Sequence, residues 1–134
     1  MTIAERIETF LDAEAFGVVG ASSKPQKYGN KVLRCYQQHQ YAVTPVNPVA
    51  KTIEGLNCVA SVDELPSHVD SISIITPPQV TEKIVDAAIA KGIRNIWMQP
   101  GAESTQAVAA CEAAGVNVIA DGSCILVVLG YHDH

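Results

Sequence analysis

Four short segments carry residue types suited to holding an anionic or aromatic ligand. The first is GASSKPQKYGN, running from Gly20 to Asn30, with two glycines, two serines and two lysines. Gly20 and Gly29 let backbone approach a ligand closely, and Ser22 and Ser23 offer hydroxyls beside the small Ala21. Amides at the start of a helix near Tyr28 and Gly29 suit phosphate, with Lys24 and Lys27 adding positive charge. The segment is not a P-loop, because GxxxxGK[ST] is absent, and it lacks the second glycine of GxGxxG. Alone, it fits either a phosphate cradle or a solvated turn.

The second segment is Val46-Asn47-Pro48. An NAD site places an acid here, about twenty residues beyond the glycine loop, to bind ribose hydroxyls. This chain has no Asp or Glu from there until Glu54. An NAD(P)-dependent oxidoreductase therefore stands as the alternative; Asn47 fits either a donor to a base or ribose or a plain Asn-Pro turn. The third segment, Thr76-Pro77-Pro78, precedes a predicted helix, where proline suits the first turn and fixes the loop. Rigid and poor in amide donors, it fits a wall for adenine or a pantetheine arm, or a helix start with no ligand. Met98-Gln99-Pro100-Gly101 has a similar pattern, with Gln99 its polar contact and Glu103 and Ser104 read as caps of the next helix.

Each segment follows a predicted strand, at 16–19, 41–46, 70–75 and 95–98. A capped helix from Thr2 to about Leu11 precedes them, helices at about 29–39, 80–91 and 104–114 intervene, and a fifth strand follows at 116–120. In the second helix Val32, Leu33 and Tyr36 share an apolar face. Gly92 and Gly115 stand just past helices, where a left-handed cap favours glycine. Strand–helix alternation implies a Rossmann-like, three-layer α/β fold with a parallel sheet of about five strands and right-handed crossovers. In such a sheet the four segments share one edge, where ligands bind. Between Lys51 and Pro66 the pattern gives a turn, a short strand at 56–59 and one helical turn capped by Ser61. The terminal CILVVLGYHDH fits an edge strand, an extra packing segment or an oligomer contact.

With 134 residues, 48% of them hydrophobic, the chain is expected to form one domain, residues 1–134. A net charge of −5 argues against nucleic-acid or anionic-membrane partners. No apolar run approaches the ~18 residues of a membrane span, and the N-terminus lacks a signal-peptide core, which points to the cytoplasm. Cys35, Cys58, Cys111 and Cys124 show no metal-site spacing and read as reduced core residues. Cys124, in ADGSCI, also suits a thiol facing the cleft. His39, His68, His132 and His134 fall at a helix end, a turn and the tail, and neither a Ser–His–acid order nor a carboxylate pair stands out.

GASSKPQKYG, AVTPVNPVAKTIEGLNCVASVDELPSHVDSISIITPP and GIRNIWMQPGAES, in that order, closely resemble the small CoA-binding proteins of bacteria. These are similar to the N-terminal CoA-binding domain of the succinyl-CoA synthetase alpha subunit and of ADP-forming acyl-CoA synthetases. The resemblance implies a CoA-binding module spanning the strand C-termini. Gly20, Ala21, Ser22 and Ser23 with Lys27, Tyr28 and Gly29 would hold phosphates, and Lys24 would add charge. Val46, Asn47 and Pro48 would approach the adenosine end, while Thr76, Pro77, Pro78 and Gln99 would line the nucleotide or pantetheine. Lys31 and Arg34 lie near the same loop, with Arg34 read as a solvated helix residue. The large synthetases use a phosphohistidine in a later domain and a nucleotide-binding grasp partner, both beyond this chain. The expected role is to bind CoA or acyl-CoA without catalytic machinery, or to supply it as a subunit to a separate ligase or acyltransferase.

Overall fold

A computed structural model describes residues 1–133; His134, the last tail histidine, lies outside the described residues. In chain order the elements begin with α1 (Ile3–Leu11), β1 (Ala15–Val19), α2 (Tyr28–Gln38) and β2 (Ala42–Val46). A hairpin of β3 (Thr52–Ile53) and β4 (Leu56–Asn57), a 3₁₀ turn (Val62–Glu64) and β5 (Ser71–Ile74) follow. The chain then runs through α3 (Pro78–Lys91), β6 (Asn95–Met98), α4 (Thr105–Ala113), β7 (Asn117–Ile119) and α5 (Ile125–Leu129).

Five strands pair in parallel in the order β2-β1-β5-β6-β7. The order reverses between β1 and β5, the switch point at which open α/β sheets open a crevice. Every residue of β1 is buried, because a central parallel strand is covered on both faces. Phe16, Val18 and Trp97 pack with Phe10, Val32, Leu33, Tyr36 and Ile125, joining α1, α2 and α5 to one face. Ile72, Ile74, Ile96 and Met98 pack with Val85, Ala88, Ala107 and Cys111 from α3 and α4 on the other. β5 alternates isoleucine with serine; Ser73 Oγ meets the Tyr36 hydroxyl at 2.6 Å, and Ser71 Oγ accepts from Asn95 Nδ2 at 2.9 Å. Both buried hydroxyls are thereby satisfied.

Most helix ends follow the expected chemistry, but the Ser61 side chain does not cap the 3₁₀ turn and Glu103 accepts from the Gly101 amide instead of capping α4. Thr2 and Glu5 form a reciprocal capping box, Ser104 Oγ accepts from the Ala107 amide, and Gly92 and Gly115 take φ of 92° and 73°. Two further expectations change. The strand at 56–59 is instead the second arm of the β3–β4 hairpin, whose turn residues Glu54 and Gly55 both have positive φ, with Val59 bridging Val46. The C-terminal apolar run is a helix, not an edge strand. Ile125 is buried against α2 and Trp97, and tertiary packing outweighs the strand preference of its β-branched residues.

Candidate functional site

At the switch point the glycine loop crosses from β1 to α2. Gly20 leaves β1 at φ 94°, which glycine adopts at no steric cost. A Cβ there would stand 2.1 Å from the Ile75 carbonyl oxygen, and a Cβ on Gly29 would stand 2.1 Å from the Gly20 carbonyl oxygen. Backbone thus lies against backbone from the end of β5, through the loop, to the first turn of α2. No side chain caps α2. Among the described residues the amides of Ser22, Ser23 and Gln26 meet no acceptor. Open amides beside a helix N-terminus are suited to an anion.

A groove of about 640 Å³ follows this loop, lined by Gly20, Ala21, Ser22, Gln26, Lys27, Tyr28, Gly29, Asn47 and Ile75. Through Gly20, Ala21 and Asn47 it joins a pocket of about 330 Å³ walled by Val19, Val46, Pro48, Val62, Thr76, Val80, Ile84 and Ala87. One half of the site therefore presents backbone amides and a lysine, and the other presents mainly apolar side chains, with Asp63 and Lys83 also on its lining. That division matches a ligand with a phosphate part and a flat or aliphatic part. A separate depression of about 590 Å³, lined in part by Asp12, Asp70, Arg94 and Asn117, lies at the opposite sheet edge, away from the loop.

The expected site residues divide by their surroundings. Gly20, Ala21, Ser22, Lys27, Tyr28, Gly29, Val46, Asn47, Pro48 and Thr76 all line the two connected spaces. Ser23 and Lys24 stand exposed on the same loop without lining either. Pro77 and Pro78 are the N-cap and first residue of α3 and fix its start behind Thr76, whose hydroxyl lies 2.7 Å from that of Thr81.

Asn47 is engaged internally. Its Nδ2 donates to the Ala21 carbonyl at 2.9 Å, and its Oδ1 accepts from the amides of Val49 and Ala50 at 2.8 Å each. The side chain thus closes an Asx-type turn and braces the glycine loop. Gln99 is 3% exposed; its Oε1 accepts from the Ile125 amide at 2.9 Å, and its Nε2 lies 3.3 Å from Cys124 Sγ. It anchors α5 and lines neither space, and Cys124 faces Gln99.

Arg34 is not a solvated side chain. Its Nε donates to Asn30 Oδ1 at 2.6 Å and its Nη2 to the Pro25 carbonyl at 2.8 Å. The apolar wall from α3 also went unread in the sequence, although Val80, Ile84 and Ala87 recur at helical spacing. Val62 at the 3₁₀ turn completes it, and only the fold brings that turn opposite α3.

Comparison with known proteins agrees with this geometry. A conserved hypothetical protein from Pyrococcus furiosus superimposes with a TM-score of 0.82 at 42% identity, covering 86% of this chain and 98% of that one. A dinucleotide-forming acetyl-coenzyme A synthetase 1 of Ca. Korarchaeum cryptofilum, in complex with phosphate and ADP, gives 0.76 at 26% identity, covering 87% of this chain and 27% of that one. The alpha subunit of ADP-forming acetate–CoA ligase II from Pyrococcus furiosus is 28% identical over 91 residues, 67% of this chain. The chain spans only 20% of that subunit's length. A family model for the CoA binding domain matches residues 14–130, and the chain belongs to this CoA-binding family.

Proposed function

We propose that this domain holds CoA or an acyl-CoA across the C-terminal edge of its sheet. The pyrophosphate lies over the glycine loop and the start of α2, held by Gly20, Ala21, Ser22, Ser23, Tyr28 and Gly29, with Lys24 and Lys27 supplying charge. The adenosine enters the apolar pocket beside Val46, Asn47 and Pro48, and the pantetheine arm leaves past Thr76, Pro77 and Pro78 toward Gln99. The observation that carries this reading is the junction at Gly20, Ala21 and Asn47 of an amide-lined groove with an apolar pocket. NAD(P) fits less well. Asn47 stands at the end of β2 in place of a ribose-binding acid, and its amide is already engaged by backbone.

The ligase relative suggests a use for such a module: delivering CoA or acyl-CoA to a separate ligase or acyltransferase. A cytoplasmic setting suits the four unpaired cysteines. Among the described residues no helix is long and apolar enough to cross a membrane.

Calorimetric titration of ligand-stripped protein with CoA, acetyl-CoA, ADP and NADH tests the assignment. Saturable CoA binding above ADP and NADH supports it; preference for NADH, or binding of none, overturns it. Lys27→Ala refines the pose. A larger loss for CoA than for dephospho-CoA places Lys27 on the 3′-phosphate, equal losses place it on the pyrophosphate, and no loss removes it from the site.

A further inference from the structure

The glycine loop is gripped by three side chains, of which Asn47 lines the groove while Asn30 and Arg34 stand behind the loop and line none of it. Asn47 Nδ2 holds the Ala21 carbonyl at 2.9 Å, Asn30 Nδ2 holds the Ser22 carbonyl at 2.9 Å, and Arg34 Nη2 holds the Pro25 carbonyl at 2.8 Å. In a trans peptide the N–H points opposite to the C=O. Fixing these three carbonyls therefore aims the amides of Ser22, Ser23 and Gln26 away from the gripping side chains. None of these three amides meets an acceptor among the described residues.

Arg34 is the centre of this grip. Its Nε donates to Asn30 Oδ1 at 2.6 Å, which orients the Asn30 amide so that Nδ2 faces Ser22. Asn30 is fully buried, and its Nδ2 also reaches the Glu54 carboxylate at 3.1 Å. The guanidinium is itself held from outside. The Tyr131 ring centroid lies 5.4 Å from it, Asp133 Oδ1 lies 3.5 Å from Nη2, and the Tyr131 hydroxyl donates to the same carboxylate oxygen at 3.0 Å. Asp133 also pairs with Lys31 at 3.8 Å. The segment leading there is fastened along α2: the His132 amide donates to Gln38 Oε1 at 3.0 Å, and His39 Nε2 meets the Gly130 carbonyl at 2.8 Å.

Resting on the CoA reading above, we propose that Arg34 is a positioning residue for phosphate binding. Through Pro25 and Asn30 it presents the loop amides to the ligand's pyrophosphate, and the C-terminal segment ending at Tyr131 and Asp133 latches it in place. The loop is thereby coupled to the C-terminus across the outer face of α2, and undocking the tail lowers affinity without touching the groove. Lysine cannot replace Arg34, because one ammonium does not reproduce a planar fork that reaches Asn30 and Pro25 while stacking on a ring.

The test compares wild type, Arg34→Ala, Arg34→Lys and Asp133→Asn by titration with CoA and ADP, by thermal melting, and by amide hydrogen exchange without ligand. Arg34→Ala is expected to weaken CoA and ADP alike, by about tenfold or more, since charged hydrogen bonds are lost from the shared pyrophosphate site. Arg34→Lys does not restore affinity, and Asp133→Asn gives a smaller loss of roughly twofold, as befits an exposed ion pair. Exchange at Lys24 and Lys27, whose amides are hydrogen-bonded within the loop, accelerates in Arg34→Ala even without ligand. Wild-type affinity in Arg34→Ala, full rescue by lysine, or unchanged exchange at these amides overturns the proposal. If wild type binds neither CoA nor ADP, the CoA reading fails, and the exchange measurement alone decides the grip.

Discussion

Gly29→Ala tests one of the two closest backbone approaches in the site. The new Cβ would stand 2.1 Å from the Gly20 carbonyl oxygen, 3.1 Å from its carbon and 3.2 Å from the Ser22 nitrogen. Real Cβ contacts stay at or above 3.0 Å, so loop and helix must part by at least 0.9 Å, and both partners are backbone. Overpacking of this kind costs about 1–3 kcal/mol. At roughly 4 °C per kcal/mol for a chain of this size, Tm falls by about 4–12 °C. Binding should suffer more than stability, because a shift near 1 Å carries a donor placed at about 2.9 Å beyond hydrogen-bond range. Losing even one charge-assisted bond to a phosphate weakens CoA by about tenfold or more. Gly17→Ala is the control: its Cβ meets only side-chain tips, Ile72 Cγ2 and Leu65 Cδ1, each at 3.1 Å. These methyls can yield, so a cost of about 1 kcal/mol or less with unchanged affinity is expected. Titration and melting of both variants give the comparison. Wild-type CoA affinity in Gly29→Ala, or equal losses in the two variants, would refute the argument.

Two further perturbations probe the supporting structure. Asn47→Ala removes three backbone bonds at the junction of groove and pocket, so a loss of about 1–3 kcal/mol in urea unfolding is expected, together with weaker ligand binding. Unchanged stability would show that water replaces the side chain. Burial pushes the Cys35 and Cys111 thiols from 9.0 up to about 11. The folded chain holds these protons more tightly than the unfolded one, so their contribution is complete below pH 9 and declines as pH rises toward 11. A urea midpoint that stays flat or rises between pH 9 and 10.5 would contradict this.

What the sequence made legible follows from what determines each feature. The strand FGVVG is apolar on both faces because β1 lies between β2 and β5, a demand written entirely in residue type. Gly20, Gly92, Gly115 and Ser104 are equally local, since positive φ and a cap depend on one residue and its neighbours. Together these placed four strand ends, and hence most of the site, on one edge. The choice of partner by a polar side chain is not local. Asn47 and Gln99 looked alike as polar residues near a ligand and Arg34 as a solvated one, yet one closes its own turn, one anchors α5 and one grips the loop. The contacts made by Asn47, Gln99 and Arg34 span 26, 26 and 9 residues of sequence.

The same distinction explains why α5 was unreadable: an apolar run reports burial but not whether a helix or a strand will supply it, and the available face of α2 decided the matter. It also assigns different consequences to the two kinds of residue. Changes at the local glycines should alter the shape of the groove itself, whereas changes at Arg34 or Asn30 should leave its walls intact and loosen only how the loop amides are aimed. Chemistry at this edge is therefore controlled by side chains that line the ligand space and by others, behind the loop, that never reach it.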